Sequence, residues 1–268
     1  MAKLQILLQA LENTVFLGKE LIHLDRINST NTYLKNLLTG DKRPNEGLLV
    51  FADEQFAGKG QLGASWKGEA GKNITASFLF VPTFLDPKQI FYFNKAVALA
   101  VRDCVDHCLQ MQPNQKQITS IKWPNDILVG DRKIAGILME NTFRANGIEN
   151  SVVGIGINVN QEFKSDKKLR AISLGEISGI TIDISETLAI LCSMLEKYYF
   201  MLRGLKFKEI DQLYHKYLFG FREDRIFMVD GNKISGKIIG VGEDGLLNLE
   251  GDGERREYEV KEIKFLFT

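Results

Sequence analysis

Residues 53 to 66 read DEQFAGKGQLGASW, and the neighbouring segments are best understood from this stretch outward. Three of its glycines, Gly58, Gly60 and Gly63, surround the single positive charge of Lys59. Glycine allows backbone conformations that are closed to other residues, and it lets main-chain N–H groups approach an anion closely. The stretch therefore predicts a loop that binds an anion.

The same glycines satisfy the pattern G-x-G-x-x-G, which in dinucleotide-binding folds follows a strand and opens a helix. Residues 47–52 (GLLVFA) precede the loop and are typical of a strand. Residues 74–81 (ITASFLFV) follow it and are typical of a second strand instead of a helix. The pattern therefore disfavours a dinucleotide fold and predicts a glycine-rich loop between two strands.

A second stretch, IKWPNDI at residues 121–127, supplies another cation. Its Lys122 comes two residues before Pro124, and regular structure usually ends at a proline, so the lysine is predicted at the end of a strand. A lysine in this position beside an anion-binding loop would hold a phosphate or carboxylate. It would also stabilise charge that develops there during a reaction.

The composition indicates a globular protein with no strong global charge. Its 268 residues are enough for one large domain and a small one, and a hydrophobic content of 44% can fill a substantial core. Lys and Arg total 34, as do Asp and Glu, so no global field attracts nucleic acid or an anionic membrane. No stretch approaches the roughly 18 consecutive apolar residues of a membrane span. We therefore expect no nucleic acid and no membrane as partners.

The three cysteines favour reduced thiols and a cytoplasmic location, because an odd number cannot all pair. Two of them, Cys104 and Cys108, lie in a helix predicted over residues 86–110 with Pro87 in its first turn. Both fall on the apolar stripe of that helix, and no second ligand pair with zinc-like spacing accompanies them. Core packing is therefore favoured over metal binding.

Local patterns predict the other elements of the chain. An amphipathic helix opens it at residues 4–11, a strand follows at 19–24, and Ser29 or Thr30 caps the next helix. Strands at 118–123, 127–129, 133–141 and 151–159, with turns at 130–131 and 146–147, indicate a largely antiparallel sheet. Two more helices are predicted at 185–202, capped by Ser185, and at 206–218.

Gly154 and Gly156 lie inside the last of these strands, where glycine weakens the strand. Three interpretations remain open: a β-bulge, the close approach of a flat group such as an adenine ring, and close packing against the helix at 86–110. Two histidines, His23 and His215, are predicted as packed or surface residues and not as bases, since no Ser-His-Asp or Cys-His set accompanies them.

The character of the chain changes after Gly220. Short β-prone segments follow one another there, separated by turns at Gly231, Gly242 and Gly253. About five such strands predict a small barrel. We place the boundary near Phe219, which gives domains at residues 1–218 and 219–268.

Five motifs together resemble one family. INSTN (27–31), the glycine-rich loop, KWPNDI (122–127), RKIAGIL (132–138) and GIGIN (154–158) occur in the order found in biotin protein ligases and spread over about half of the chain. The resemblance implies an α/β fold of the class II synthetase type. In this fold a mostly antiparallel mixed sheet with flanking helices is followed by a small C-terminal barrel similar to SH3.

The resemblance also implies roles for individual residues. Lys59 and Lys122 would be the catalytic residues. The residues implied to bind biotin are Ser29, Thr30, Asn31, Gln55, Lys59, Gly60, Gln61, Trp66 and Lys122. Those implied to bind ATP are Gly58, Lys59, Gly60, Gln61, Lys122 and Asn158.

The activity that the resemblance implies has two steps. Biotin and ATP, with Mg2+, would give biotinyl-5'-AMP and pyrophosphate, and the biotinyl group would then pass to one lysine of a biotin carboxyl carrier protein domain. The chain departs from the family's commonest loop, G-R-G-R-x-G, because Lys59 and Gln61 stand where arginines are frequent. Lysine lacks the planar fork of arginine and glutamine lacks its charge. We therefore predict that Lys122 carries more of the electrostatic work.

Fewer than thirty residues precede the INSTN motif. This length predicts a ligase without the N-terminal DNA-binding domain that many family members carry. A homodimer is consistent with the resemblance, without a predicted interface. Two alternatives remain open, namely a lipoate-type ligase acting on another carboxylate and a non-catalytic biotin-binding module. DNA regulation through the C-terminal barrel is disfavoured by the balanced charge.

Overall fold

The computed structural model of the chain describes residues 2–110, 119–145, 147–163, 169–251 and 253–267. The predicted strand start at Ile118 and the Asn146 half of the predicted turn lie outside these residues. None of the helices in the described ranges is long and apolar enough to cross a membrane.

The centre of the fold is a seven-stranded mixed sheet with the order β1-β2-β3-β7-β6-β5-β4. Strands β1 and β2 pair in parallel, and every other neighbouring pair in this sheet is antiparallel, which confirms the predicted mixed, mostly antiparallel sheet. The strands are β1 (Leu21–Ile27), β2 (Leu49–Gln55), β3 (Asn73–Phe80), β4 (Thr119–Lys122), β5 (Asp126–Val129), β6 (Arg132–Arg144) and β7 (Gly147–Asn158).

Helices cover both faces of this sheet. Alternate residues of a strand point to opposite faces, so Phe51 and Phe78 enter the main core while Val50 and Leu79 pack with Leu34 of α2. The main core contains the buried apolar residues of α3 and α5. The helices are α1 (Ala2–Ala10), α2 (Thr30–Leu38), α3 (Ile90–Gln110), α4 (Leu174–Ser178), α5 (Ile184–Arg203) and α6 (Phe207–Lys216).

Helix starts follow the sequence closely, with one exception. Ser29 caps α2, as predicted, and Asp86 caps a 3-10 turn at Pro87–Gln89 that leads into α3. The prediction that Ser185 caps α5 is wrong. Asp183 accepts hydrogen bonds from the backbone N–H of Ser185 at 2.7 Å and of Glu186 at 3.0 Å, so the helix begins earlier. A carboxylate is at least as good a cap as a hydroxyl, and its negative charge interacts favourably with the positive end of the helix dipole.

The three cysteines are free and buried in the main core, which confirms their predicted packing role. Burial raises the pKa of the Cys192 thiol well above its ordinary value. The Cys192 thiol is therefore uncharged at neutral pH and behaves as a small apolar side chain.

A second sheet of five antiparallel strands follows α6, in the order β11-β10-β9-β8-β12. It confirms the predicted run of short C-terminal strands, whereas the domain boundary near Phe219 stays a prediction. Its strands are β8 (Asp224–Val229), β9 (Asn232–Val241), β10 (Leu247–Gly251), β11 (Glu254–Tyr258) and β12 (Ile263–Phe265).

The segment after α6 and the turn between β9 and β10 contact the large sheet at the outer edge and the end of β4. The backbone of Ile121 accepts a hydrogen bond from Phe219 N–H and donates one to Tyr217 O, both at 2.8 Å. The indole N–H of Trp123 donates to Gly245 O at 2.9 Å. The turn between β9 and β10 is therefore bonded directly to the residue that follows Lys122.

A salt bridge between a buried lysine and a partly exposed aspartate joins α3 to α6, and the same lysine is bonded to the end of β9. Lys95 is fully buried, and its Nζ donates to Asp211 at 2.6 Å and to Val241 O at 2.9 Å. Burial lowers the pKa of Lys95, although Asp211 opposes this effect. Burial raises the pKa of Asp211, but hydrogen bonds from His215 and Lys95 outweigh it and lower the pKa to about 2.

The segment between α1 and β1 is attached to α5 by one carboxylate. Glu196, only 5% exposed, accepts hydrogen bonds from three consecutive backbone N–H groups, those of Val15, Phe16 and Leu17, at 2.7 to 2.9 Å. A buried carboxylate needs such partners, and consecutive N–H groups need an acceptor.

Candidate functional site

The motif residues surround a cavity of about 250 Å3. It lies on the α2 side of the large sheet, and a residue of the C-terminal region, Val260, completes its lining. All nine residues that the sequence implied for biotin line it: Ser29, Thr30, Asn31, Gln55, Lys59, Gly60, Gln61, Trp66 and Lys122. Gly58 and Asn158 do not.

The glycine-rich loop joins β2 to β3, as predicted, and folds into a short hairpin. Lys59 pairs with Ser65 in an isolated antiparallel bridge, and Gly60 N–H donates to Ala64 O at 2.7 Å. At Gly58 a Cβ atom would lie 2.5 Å from Trp66 O, so glycine is required there for the hairpin to close. Gly58 therefore shapes the loop without lining the cavity.

The first half of the cavity lining is a polar group at the start of α2. Thr30 N–H donates to Gln55 Oε1 at 2.7 Å, and Ser77 of β3 donates to Asn31 Oδ1 at 2.5 Å. Thr30, Asn31 and Ser77 are each at least 97% buried. Neither Ser77 nor Glu140, which also bonds Asn31, was singled out by the sequence. Both residues are far from Asn31 in the sequence and meet it only in the folded sheet, so no local pattern identifies them.

Two glycines of β7 make room for this lining. A Cβ atom at Gly154 would overlap the Asn31 side chain, and one at Gly156 would overlap the indole of Trp66. Of the interpretations left open, packing of these glycines against the helix at 86–110 does not hold, because Asn31 and Trp66 occupy the space beside them and α3 lies on the other face of the sheet. The flat group that approaches Gly156 is the Trp66 side chain.

We expect Gly156→Ala to lower affinity for the ligand of this cavity by about tenfold or more, because the indole must move to admit a methyl group. Titration calorimetry with biotin, the ligand that the family resemblance implies, would measure the effect. Gly40→Ala is the matched control, since a Cβ there meets nothing closer than 3.5 Å. Unchanged affinity in Gly156→Ala would show that the indole position is unimportant.

The second half of the lining is a group of charges at the end of β4. Lys122 ends this strand, as predicted, and its Nζ lies 3.3 Å from Asp126 Oδ2. Lys133 Nζ lies 2.6 Å from the other carboxylate oxygen, Asp126 Oδ1, and 5.7 Å from the Trp66 ring centre. Asp126 and Lys133 were not among the predicted site residues, although they belong to the motifs KWPNDI and RKIAGIL. The signal that could have identified them was a charged side chain in each motif, four residues after Lys122 and at the second position of RKIAGIL.

Asn158 lies outside this cavity. Its Nδ2 donates to Ile172 O at 3.1 Å and to Lys133 O at 3.4 Å, and its side chain is buried. These bonds attach the segment before α4 to β6. The placement gives no support to the predicted contact between Asn158 and the nucleotide.

One group among the described residues has the composition of a metal site: His23, Asp25 and Asp53. None of them lines the cavity, and the His23 ring stacks on the core residue Phe51 at 5.7 Å. His215 accepts a hydrogen bond from Val241 N–H at 2.9 Å. Both histidines are thus packed residues, as predicted.

The chain belongs to the biotin/lipoate A/B protein ligase family, whose model matches residues 23–158. A bifunctional ligase/repressor BirA of Bacillus spizizenii is 31% identical over 242 residues, or 88% of this chain and 71% of that protein. A biotin--[acetyl-CoA-carboxylase] ligase of Paracoccus denitrificans is 35% identical over 138 residues, covering 51% of this chain and 53% of the relative.

Solved structures agree with these sequence relatives. The biotin protein ligase from Aquifex aeolicus in complex with biotin and ATP superposes with a TM-score of 0.75 and 26% identity, covering 93% of this chain and 100% of that one. The resemblance to biotin protein ligases and the expected fold class are thereby confirmed.

Proposed function

We propose that this protein is an ATP-dependent biotin protein ligase. It activates biotin as biotinyl-5'-AMP and transfers the biotinyl group to a lysine of a biotin carboxyl carrier protein domain. The observation that carries the proposal is the single cavity in which the polar group of α2 and the lysines of two distant segments meet. The Aquifex relative, with the same fold, is described in complex with biotin and ATP.

The polar group suits the head of biotin. A cyclic urea has one carbonyl and two N–H groups, and a buried pocket must pair them or lose affinity. Thr30 and Gln55 offer a hydroxyl oxygen and an amide beside each other in the lining, with Ser29 and Asn31 next to them. The Trp66 indole is an apolar wall for the thioether ring and the valeryl chain.

The lysines suit the reacting groups. During activation a carboxylate oxygen of biotin attacks the α-phosphorus of ATP, the bond to the β-phosphate oxygen breaks, and pyrophosphate leaves. Two anions must approach each other, and fixed cations offset their repulsion. Lys122 and Lys59 line the cavity for this role, with the amide of Gln61 and the N–H of Gly60 beside them.

Mg2+ belongs to this proposal as the ion that accompanies the ATP phosphates. It usually binds through substrate phosphates and few carboxylates. Asp126 is the carboxylate in the lining, and two lysines already pair with it. The residues thus fit an ion brought by the nucleotide better than a preformed metal cage. A homodimer and a cytoplasmic location also stay predictions.

The second step needs no nucleophile from the enzyme. The amine of the acceptor lysine attacks the acyl carbon of biotinyl-5'-AMP, the bond to the phosphate oxygen breaks, and AMP leaves while the amine loses a proton. Accordingly, the lining contains no cysteine and no histidine among the described residues. The proposed carrier-protein acceptor is supported by the name of the Paracoccus relative, a biotin--[acetyl-CoA-carboxylase] ligase.

The test is exchange of labelled pyrophosphate into ATP by the purified protein with Mg2+, run separately with biotin, lipoate and octanoate. We expect exchange with biotin alone. Exchange with lipoate or octanoate instead would establish the lipoate-type alternative. Tight biotin binding without exchange would replace the proposal with the binding-module alternative.

A further inference from the structure

The polar group of the cavity is connected to two charged residues that do not line it. Asn31 Nδ2 donates to Glu140 Oε2 at 2.9 Å, and Lys35 Nζ donates to Glu140 Oε1 at 2.6 Å. The Lys35 and Glu140 side chains are 44% and 31% exposed. A pair of partly exposed charges therefore reaches the cavity through one buried amide.

The carboxylate of Glu140 fixes the orientation of that amide. An ionised carboxylate only accepts hydrogen bonds, whereas an asparagine has a donating nitrogen and an accepting oxygen. Asn31 must therefore turn Nδ2 toward Glu140, where this nitrogen also donates to Leu138 O at 3.3 Å. Its Oδ1 then faces Ser77 and accepts the hydroxyl proton of that residue.

The same polarity continues to the residues that line the cavity. Because Ser77 donates its one proton to Asn31, the Thr30 hydroxyl proton lies between two acceptors, Gln55 Oε1 at 3.0 Å and Ser77 Oγ at 2.7 Å. The proton of Thr30 is thus directed at a protein oxygen. Thr30 Oγ1 is left with lone pairs alone to offer a ligand, so it is an acceptor.

Gln55 is fixed in the opposite sense. Its Oε1 accepts from the backbone N–H of Thr30 and lies within hydrogen-bond distance of the Thr30 hydroxyl, so its Nε2 carries the remaining donors. The missing side chain of Gly58 leaves space for this nitrogen, since a Cβ there would lie 3.1 Å from it. The lining therefore presents an acceptor and a donor side by side, in a fixed arrangement.

We propose that Glu140, supported by Lys35, is a positioning residue that sets the hydrogen-bond polarity of the cavity. Through this polarity it favours acids whose head group carries N–H donors beside a carbonyl acceptor, such as a cyclic urea. This inference rests on the proposed function. A site built to pair N–H groups strongly rejects analogues that lack them, because its own polar groups then stay unpaired.

Glu140→Gln keeps the shape of the side chain but removes the fixed polarity, because a glutamine can meet Asn31 with either end of its amide. We expect the KM for biotin in pyrophosphate exchange to rise about tenfold, with the KM for ATP unchanged. The KM for desthiobiotin, which retains the urea, should rise by the same factor. For a biotin analogue methylated on both urea nitrogens, the KM should rise much less on mutation. This analogue has no urea N–H groups, so the mutation has no N–H recognition left to impair.

Three further variants separate this role from general damage. Glu149→Gln, on β7, is the matched control because its carboxylate pairs with Arg43 and Arg144 away from the cavity, and both KM values should stay unchanged. Ser77→Ala breaks the next link with Glu140 intact and should give the same biotin-specific loss. Lys35→Met keeps the carboxylate in place and should give a smaller rise.

The outcomes are distinguishable. Absence of biotin-dependent exchange in the unaltered protein would reject the proposed function itself. Normal exchange there, with a biotin KM within about twofold in folded Glu140→Gln, would overturn the positioning role alone. An equal loss for biotin and for its methylated analogue would also overturn it, since the effect would then not concern N–H recognition. If Glu140→Gln does not fold, Ser77→Ala and Lys35→Met decide by the same measurements.

Discussion

Lys122→Met is expected to lower biotin-dependent pyrophosphate exchange by about two to three orders of magnitude, the usual effect of removing one group that stabilises developing charge. Lys122 is 22% exposed, so its charge acts in a less aqueous environment than that of the exposed Lys59. With Gln61 uncharged, Lys59 is the one cation among the residues that the glycine-rich loop contributes to the cavity lining. The loss should fall mainly on kcat, because the charge forms during reaction.

Two comparisons make this expectation specific. Lys59→Met should lower exchange clearly less than Lys122→Met. Lys197→Met, which removes a lysine on α5 paired with Asp103, should change nothing. If Lys122→Met retained exchange within a factor of about three, the assignment of Lys122 to the chemistry would be wrong.

The second large effect concerns stability. Glu196→Gln replaces an accepting oxygen with an N–H2 group that faces the N–H groups of residues 15–17. We expect a loss of about 3 kcal/mol in the free energy of unfolding, because buried donors lose a charged acceptor. For a chain of this size, this loss corresponds to a fall in Tm of roughly 6–12 °C.

Differential scanning calorimetry would measure this change. Glu209→Gln is the control, since the Glu209 side chain is 56% exposed and pairs only with a surface lysine in the described part of the chain. A Tm within about 2 °C of the unaltered protein in Glu196→Gln would mean that the N–H groups find water or another acceptor at little cost.

The sequence predicted those features that depend on local chemistry. The glycine-rich loop between two strands, the strand end at Lys122 and the cap at Ser29 each follow from residues close together in the chain. The biotin set required the family resemblance, because no local rule joins residues 29–31 to residue 122. All of that set lines one cavity, although the role of each residue stays a proposal.

Other features depend on contacts between distant segments, and local patterns do not report them. Gly156 is explained by Trp66, which is ninety residues earlier in the chain, and the partners of Asn31 come from β3 and β6. The cap at Asp183 is a different failure. Two good capping residues stand two positions apart, and it is the Asp183 side chain that accepts the backbone N–H groups of Ser185 and Glu186.

The contact between Trp123 and Gly245 has a consequence for synthesis of the chain on the ribosome. Lys122 is translated well before the residues that surround it. The turn at Gly245, which bonds the neighbouring Trp123, is translated much later. So is Phe265, whose ring centre lies 5.4 Å from Lys122 Nζ. Val260, which completes the lining of the cavity, is also translated later. A nascent chain that has already released all five motifs therefore still lacks part of the surroundings of its lysine, and activity should begin only after the last strand has been translated and docked.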